Sequence, residues 1–180
     1  MDSGWMAVWP VAAFFLGGLA TQLTGWLTHR RQQLERRQDA AAALHARRET
    51  FELDNLQELN AALQTLGRAA ARAHHADIMA SRETRLYGDG LLGEELSETS
   101  RVANAEVRML SGLVLDDSLR EQVSAAQSAI NVPGMMLRVD PSDADAAFRV
   151  GIDQLHQVQD RIASRIREIY LTSSANQLTT

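Results

Sequence analysis

The sequence predicts an all-α protein: an N-terminal transmembrane helix continuing into a long helix that packs in an antiparallel helical bundle of about four helices. Three observations carry this prediction. A charge-free apolar run, Trp5 to Leu27, opens the chain. Only three prolines occur in 180 residues, within a composition rich in Ala, Leu, Arg, Glu and Gln and just 5% aromatic. Such a composition favours helix over strand and leaves long helices uninterrupted. Beyond the apolar run, hydrophobic residues recur at three- and four-residue spacing, which keeps one face of a helix apolar. The expected organisation is a short extracytoplasmic N-terminus (1–4), a transmembrane helix (5–27), a basic helical stalk (28–50), a bundle domain (51–171) and a flexible tail (172–180).

The first element is WMAVWPVAAFFLGGLATQLTGWL, 23 residues without a formal charge. At ~1.5 Å per residue it spans roughly 34 Å, enough to cross a ~30 Å hydrocarbon core with some tilt. Trp5 and Trp9 before it and Trp26 near its end suit the headgroup level, as interface anchors do. A helix buried in a soluble core is rarely this long and charge-free. A cleaved signal peptide would want a basic start, whereas this chain begins Met-Asp-Ser-Gly, and it would want a small-x-small site where His29-Arg30-Arg31 stands. Arg30, Arg31, Arg36 and Arg37 crowd the C-terminal flank, against Asp2 on the other side. The positive-inside rule then places the N-terminus outside and residues 28–180 in the cytoplasm, with the protein in the cell (inner) membrane. The same arginines can draw anionic headgroups of the lipid bilayer.

Pro10 lies one turn into the run, where it can open the regular helix rather than kink it. Ala13, Gly17, Thr21 and Gly25 recur every fourth residue and form one shallow stripe. Stripes of this kind let membrane helices pack closely, and Gln22 adds a polar side chain that seeks a partner in lipid. The stripe predicts a homo-oligomer through the transmembrane helix, or docking on another membrane helix. Small residues are also common in membrane helices generally.

From Thr28 to Ala76 there is no proline and the one glycine is Gly67, so a continuous helix is expected. Its first part, with Leu34 and Leu44 among Arg, Gln and Ala, reads as a solvated stalk. Its second part carries Leu56, Leu59, Leu63, Leu66, Ala70 and Ala73, a seam suited to a coiled coil or bundle. YGDGLLG (87–93) breaks the helix with three glycines. It is not a phosphate loop, because no Gly-Lys-Ser/Thr follows and no strand precedes. A second helix is expected from Leu91 to Leu115, packing through Leu92, Leu96, Val102, Val107, Leu110 and Val114. Asp116, Asp117 and Ser118 offer N-cap oxygens for a third, whose packing positions are Leu119, Val123, Ala126 and Ile130. NVPGMMLRVD (131–140) turns at Pro133-Gly134, and Met135, Met136 and Leu137 should be covered by the bundle, or else form a partner-binding spot. Asp140-Pro141-Ser142-Asp143 opens the last helix, which runs to about Leu171 with Phe148, Ile152, Leu155, Gln159, Ile162, Ile166 and Ile169 along its seam.

Charge and motifs exclude more than they assign. Residues 28–48 hold six Arg against Glu35 and Asp39, and residues 49–180 hold twelve Arg against twenty acids, within a net charge of −5. An acidic distal domain argues against nucleic acid. All 18 basic residues are Arg, as high-GC genomes encode, and the absence of Cys removes thiolate chemistry. His74, His75 and Asp77 are the densest ligand-type cluster. Adjacent His side chains on a helix point ~100° apart, and only His74 and Asp77 share the spacing a metal needs. A polar helix end accounts for them. Asp140, Asp143 and Asp145 lack the central Gly and terminal Glu of a calcium loop and read as helix caps. Glu94, Glu95 and Glu98 read as a solvated helix start. No Glu-x-x-His pair and no Gly-x-Ser-x-Gly elbow occurs. No catalytic, cofactor or metal site is therefore expected.

The stretches LGGLATQLTGWLTHRRQQLERRQ and VRMLSGLVLDDSLREQV resemble those of uncharacterised single-pass membrane proteins of high-GC bacteria, with an N-terminal transmembrane helix and a cytoplasmic helical domain. The resemblance covers about a quarter of the chain. It implies topology and helicity and carries over no activity. Together these readings predict a membrane-anchored, non-enzymatic protein-interaction or scaffold module with an unknown protein partner. The alternative is a small membrane-active or immunity-type protein of a phage or mobile element, acting through oligomerisation of its transmembrane helix.

Overall fold

The computed structural model describes residues 5–90 and 92–177, with side chains described at 33, 36, 37, 39–90 and 92–172. Among the described residues there are four helices in the order α1 (Trp5–Thr84), α2 (Glu94–Ser111), α3 (Asp117–Asn131) and α4 (Pro141–Gln177), with a 3₁₀ turn at Pro133–Met135. Among the described residues there is no strand, and an all-α architecture is the result. The side chains of the expected membrane span, with the anchors Trp5, Trp9 and Trp26, Arg30 and Arg31, Gln22 and the stripe Ala13, Gly17, Thr21 and Gly25, lie outside the described residues. Among those that are described, no helix is long and apolar enough to cross a membrane.

The chain divides into two compact units, Met1–Arg48 and Glu49–Thr180. In the first, every described side chain is exposed, including Arg36, Arg37 and Leu44. That agrees with a poorly apolar stretch that buries nothing within its own unit. The second unit holds the core. Leu56, Leu59, Leu63 and Leu66 of α1, Val107 and Leu110 of α2, Leu119, Val123 and Ile130 of α3, and Leu155, Val158 and Ile162 of α4 are buried in one cluster.

Named contacts fix how the helices run. Glu52 pairs with Arg165 at 2.7 Å, and His74 meets Asp145. Residue numbers rise on α1 as they fall on α4, so the two are antiparallel. A Cβ on Gly67 would stand 2.8 Å from Leu155 Cδ2, which marks the close approach of this pair. α3 and α4 approach closer still, since a Cβ on Gly151 would stand 2.7 Å from Ile130 Cα.

Local chemistry sets the ends. α1 continues past Ala76 and stops where Arg85 turns left-handed (φ 65°), its N–H donating to the Ser81 carbonyl. α2 starts later than expected, after Gly93, with Glu94 and Glu95 in the first turn where they suit the helix dipole. It also ends earlier, at Gly112. Asp116 caps α3, its carboxylate accepting from Leu119 N at 3.0 Å. Asp140 caps α4, accepting from the backbone N and hydroxyl of Ser142, and these hydrogen bonds hold its carboxyl below the usual range. α4 is helical through Gln177, beyond Leu171.

Three expectations need correction. Val102 was expected to pack inward but is 50% exposed. It points about 100° around α2 from its buried neighbour Ala103, outside the arc of Ala103, Val107 and Leu110 that faces the core. Met135 and Leu137 are 74% and 72% exposed, not covered by the bundle. The 3₁₀ turn buries Pro133 and points its neighbours outward. Asp145 is not a cap: it lies one turn inside α4 and reaches His74 and Arg149.

Candidate functional site: a polar cleft beside His74

One end of the bundle is closed by two connections that meet. Tyr87 N donates to Val139 O at 2.9 Å, and Val139 N to Tyr87 O at 3.3 Å. Gly88, at φ 68°, passes so close to Met136 that a Cβ would collide with the Met136 carbonyl oxygen. Arg138 and Asp89 form an ion pair at 3.0 Å across the same junction.

This junction drives the Tyr87 ring into the bundle, where it is 1% exposed. Its hydroxyl lies 3.1 Å from His74 Nδ1. His74 Nε2 lies 3.3 Å from Asp145 Oδ1, and the imidazole stacks on Phe148 with centroids 4.3 Å apart and planes 12° apart. Burial pushes the Asp77 carboxyl up, against a hydrogen bond from Tyr87 and the nearby His74, which favour its charge. Burial and the Asp77 carboxylate push the Tyr87 phenol up to about 12.

Beside this cluster lies a cleft of about 390 Å³. Its α2 wall is polar: Ser97, Ser100, Asn104 and Arg108 follow one another at three- and four-residue spacing. Asn104 and Asn131 exchange side-chain hydrogen bonds at 3.1 and 2.6 Å, and Gln127 donates to both oxygens of Asn104. Asn104 also donates to the Ser100 carbonyl and Asn131 to the Gln127 carbonyl, and these bonds fix the wall. Leu92, Ile130, Pro133, Met135 and Phe148 supply apolar lining.

No family model, curated protein or solved structure matches the chain. The chemistry therefore rests on the geometry alone. The cluster gathers residues that the sequence reading kept apart. His74 and Asp77 do share a face, but their companions are Tyr87, Asp145 and Phe148, and His75 points to solvent. Among the described residues, no three His, Asp or Glu side chains gather as a metal site. Both His74 nitrogens are engaged, and Ser100 Oγ has no hydrogen-bond partner, so no base activates that hydroxyl as a nucleophile. Tyr87 was missed because its neighbours Gly88, Asp89 and Gly90 mark a turn, and turns are normally at the surface.

Proposed function

We propose that the chain is a membrane-anchored, non-enzymatic interaction module. Residues 5–27 anchor it in the inner membrane, with homo-association through the small-residue stripe. Arg30, Arg31, Arg36 and Arg37 keep the following chain on the cytoplasmic side, and the helical bundle recruits a protein partner there. The observation that carries the recruiting role is an uncovered apolar strip along α2 and the turn that follows it. Val102 and Met109, two helical turns apart on α2, and Leu113 just beyond its end are 50%, 64% and 46% exposed, while Ala103, Val107 and Leu110 of the same helix are buried in the core. A helix apolar beyond its core face is normally covered there too.

The same side of α2 carries the exposed Glu95, Glu98 and Glu106, and Arg101 is already paired to Glu98 at 2.6 Å. An acidic rim repels a second copy of itself and suits a basic amphipathic helix from another protein. Photo-crosslinking from positions 102, 109 and 113 of the full-length protein in its native membrane tests this. The expected result is one adduct of constant mass at all three positions, containing such a helix, absent from the exposed position 157 and unchanged by Gly17→Leu. Equal labelling at position 157, or adducts that are only copies of this chain, would overturn the reading. Adducts lost with Gly17→Leu would favour the membrane-active alternative, in which the stripe and Gln22 carry the function.

A further inference from the structure

The cleft beside His74 holds polar groups that the fold does not use. The amides of Asn104 and Asn131 are hydrogen-bonded, and both nitrogens of His74 are taken. Two groups are left over. Ser100 Oγ is enclosed without a hydrogen-bond partner, an arrangement that costs stability unless something fills it. Arg108 lines the cleft with no acidic side chain in ion-pair distance among the described residues. A guanidinium left free at the edge of a concave, partly apolar site is an anion receptor, and its fork geometry matches a carboxylate.

We propose that this cleft binds a small carboxylate carrying an apolar body, with the carboxylate on Arg108, a hydrogen bond from Ser100, and the body against Ile130, Met135 and Phe148. The volume, about 390 Å³, falls in the range of small-molecule sites. The charge pattern selects the class. Among the described residues lining the cleft Arg108 is the one arginine, so a single negative charge is matched and the second charge of a phosphate finds no partner.

The test uses the full-length protein in nanodiscs, with empty nanodiscs as the blank, and ligand-detected NMR with 3-phenylpropanoate, its neutral amide and inorganic phosphate. Saturable binding of the carboxylate is expected, about tenfold or more tighter than the amide, since a charge-assisted hydrogen bond is lost. Phosphate should not compete. Arg108→Gln, at an exposed position that bears no part of the core, should erase the difference between acid and amide. Ser100→Leu, which fills the cleft, should remove binding of both. Absence of saturable binding, equal affinity for acid and amide, competition by phosphate, or wild-type affinity in Arg108→Gln would each overturn the proposal. If Ser100→Leu unfolds, as circular dichroism reports, the Arg108→Gln result decides alone. The outer face of α2 plays no part in this test, so its outcome is independent of the recruiting role.

Discussion

Two glycines in helices offer a matched experiment on what holds the bundle together. Gly→Ala inside a helix gains about 0.8–1.0 kcal/mol of intrinsic propensity wherever it is made. The neighbours then decide the outcome. At Gly151 the new Cβ would stand 2.7 Å from Ile130 Cα, 2.9 Å from the Ala129 carbonyl oxygen and 3.0 Å from Ile130 N. Carbon atoms prefer about 3.5–4.0 Å, so α3 must retreat by about 1 Å, and backbone cannot rotate aside. Overpacking of this kind costs about 1–3 kcal/mol, and the upper half of that range fits a rigid contact. Net destabilisation of about 1–2 kcal/mol follows. At Gly67 the one close atom is Leu155 Cδ2 at 2.8 Å, the end of a side chain that can swing aside by ~30° in χ for about 0.5–1.5 kcal/mol. Gain and cost nearly cancel there. Urea unfolding of both variants, followed by far-UV circular dichroism, measures the difference. A midpoint for Gly151→Ala equal to or above that of Gly67→Ala would refute the argument that backbone contact sets the α3–α4 spacing.

Two further outcomes follow from the junction. Arg85→Gly should raise stability by about 0.5–1 kcal/mol, because a left-handed conformation costs an L-residue about 1–2 kcal/mol and glycine nothing, less the entropy glycine adds to the unfolded chain. Denaturant midpoints check it, and a loss of stability would mean that the Arg85 side chain holds the turn. Tyr87 retains its proton in the folded state to about pH 12, whereas its unfolded counterpart loses it near 10.0. The unfolded chain binds fewer protons in that interval, so stability should fall as pH rises from 10 towards 12. The tyrosinate absorbance difference between wild type and Tyr87→Phe, together with melting curves over this interval, tests it. Tyr87→Phe should melt with a shallower alkaline slope, and an unchanged slope would contradict the assignment.

The helical seams were legible because periodicity is local. Leu56, Leu59, Leu63 and Leu66, and likewise Leu119, Val123, Ala126 and Ile130, are buried as their spacing predicts. The break at 87–93 and the caps at Asp116 and Asp140 followed from residue chemistry within a few positions. What escaped was tertiary. Val102 looks like any seam residue until the arc of Ala103, Val107 and Leu110 is found in the core. Asp145 reads as one more acid near a helix start, and its partner His74 is 71 residues away. Gly151 carries no signal at all, since the backbone it must admit belongs to another helix. The cleft was invisible for the same reason: its α2 wall has helical spacing, but polar residues at such spacing normally mark a solvated face.

The paired hydrogen bonds between Tyr87 and Val139 have one more consequence. In an antiparallel pair that exchanges both bonds, the two Cα atoms stand about 5.5 Å apart. The chain therefore departs and returns through a single doorway, and everything between, α2, α3 and the 3₁₀ turn, is a detour from the α1–α4 hairpin. A detour with a fixed doorway is portable. Residues 87–139 could be lifted out and spliced between two other antiparallel helices with the same gap, or a different cassette could be set in their place, without redrawing the pair that carries them.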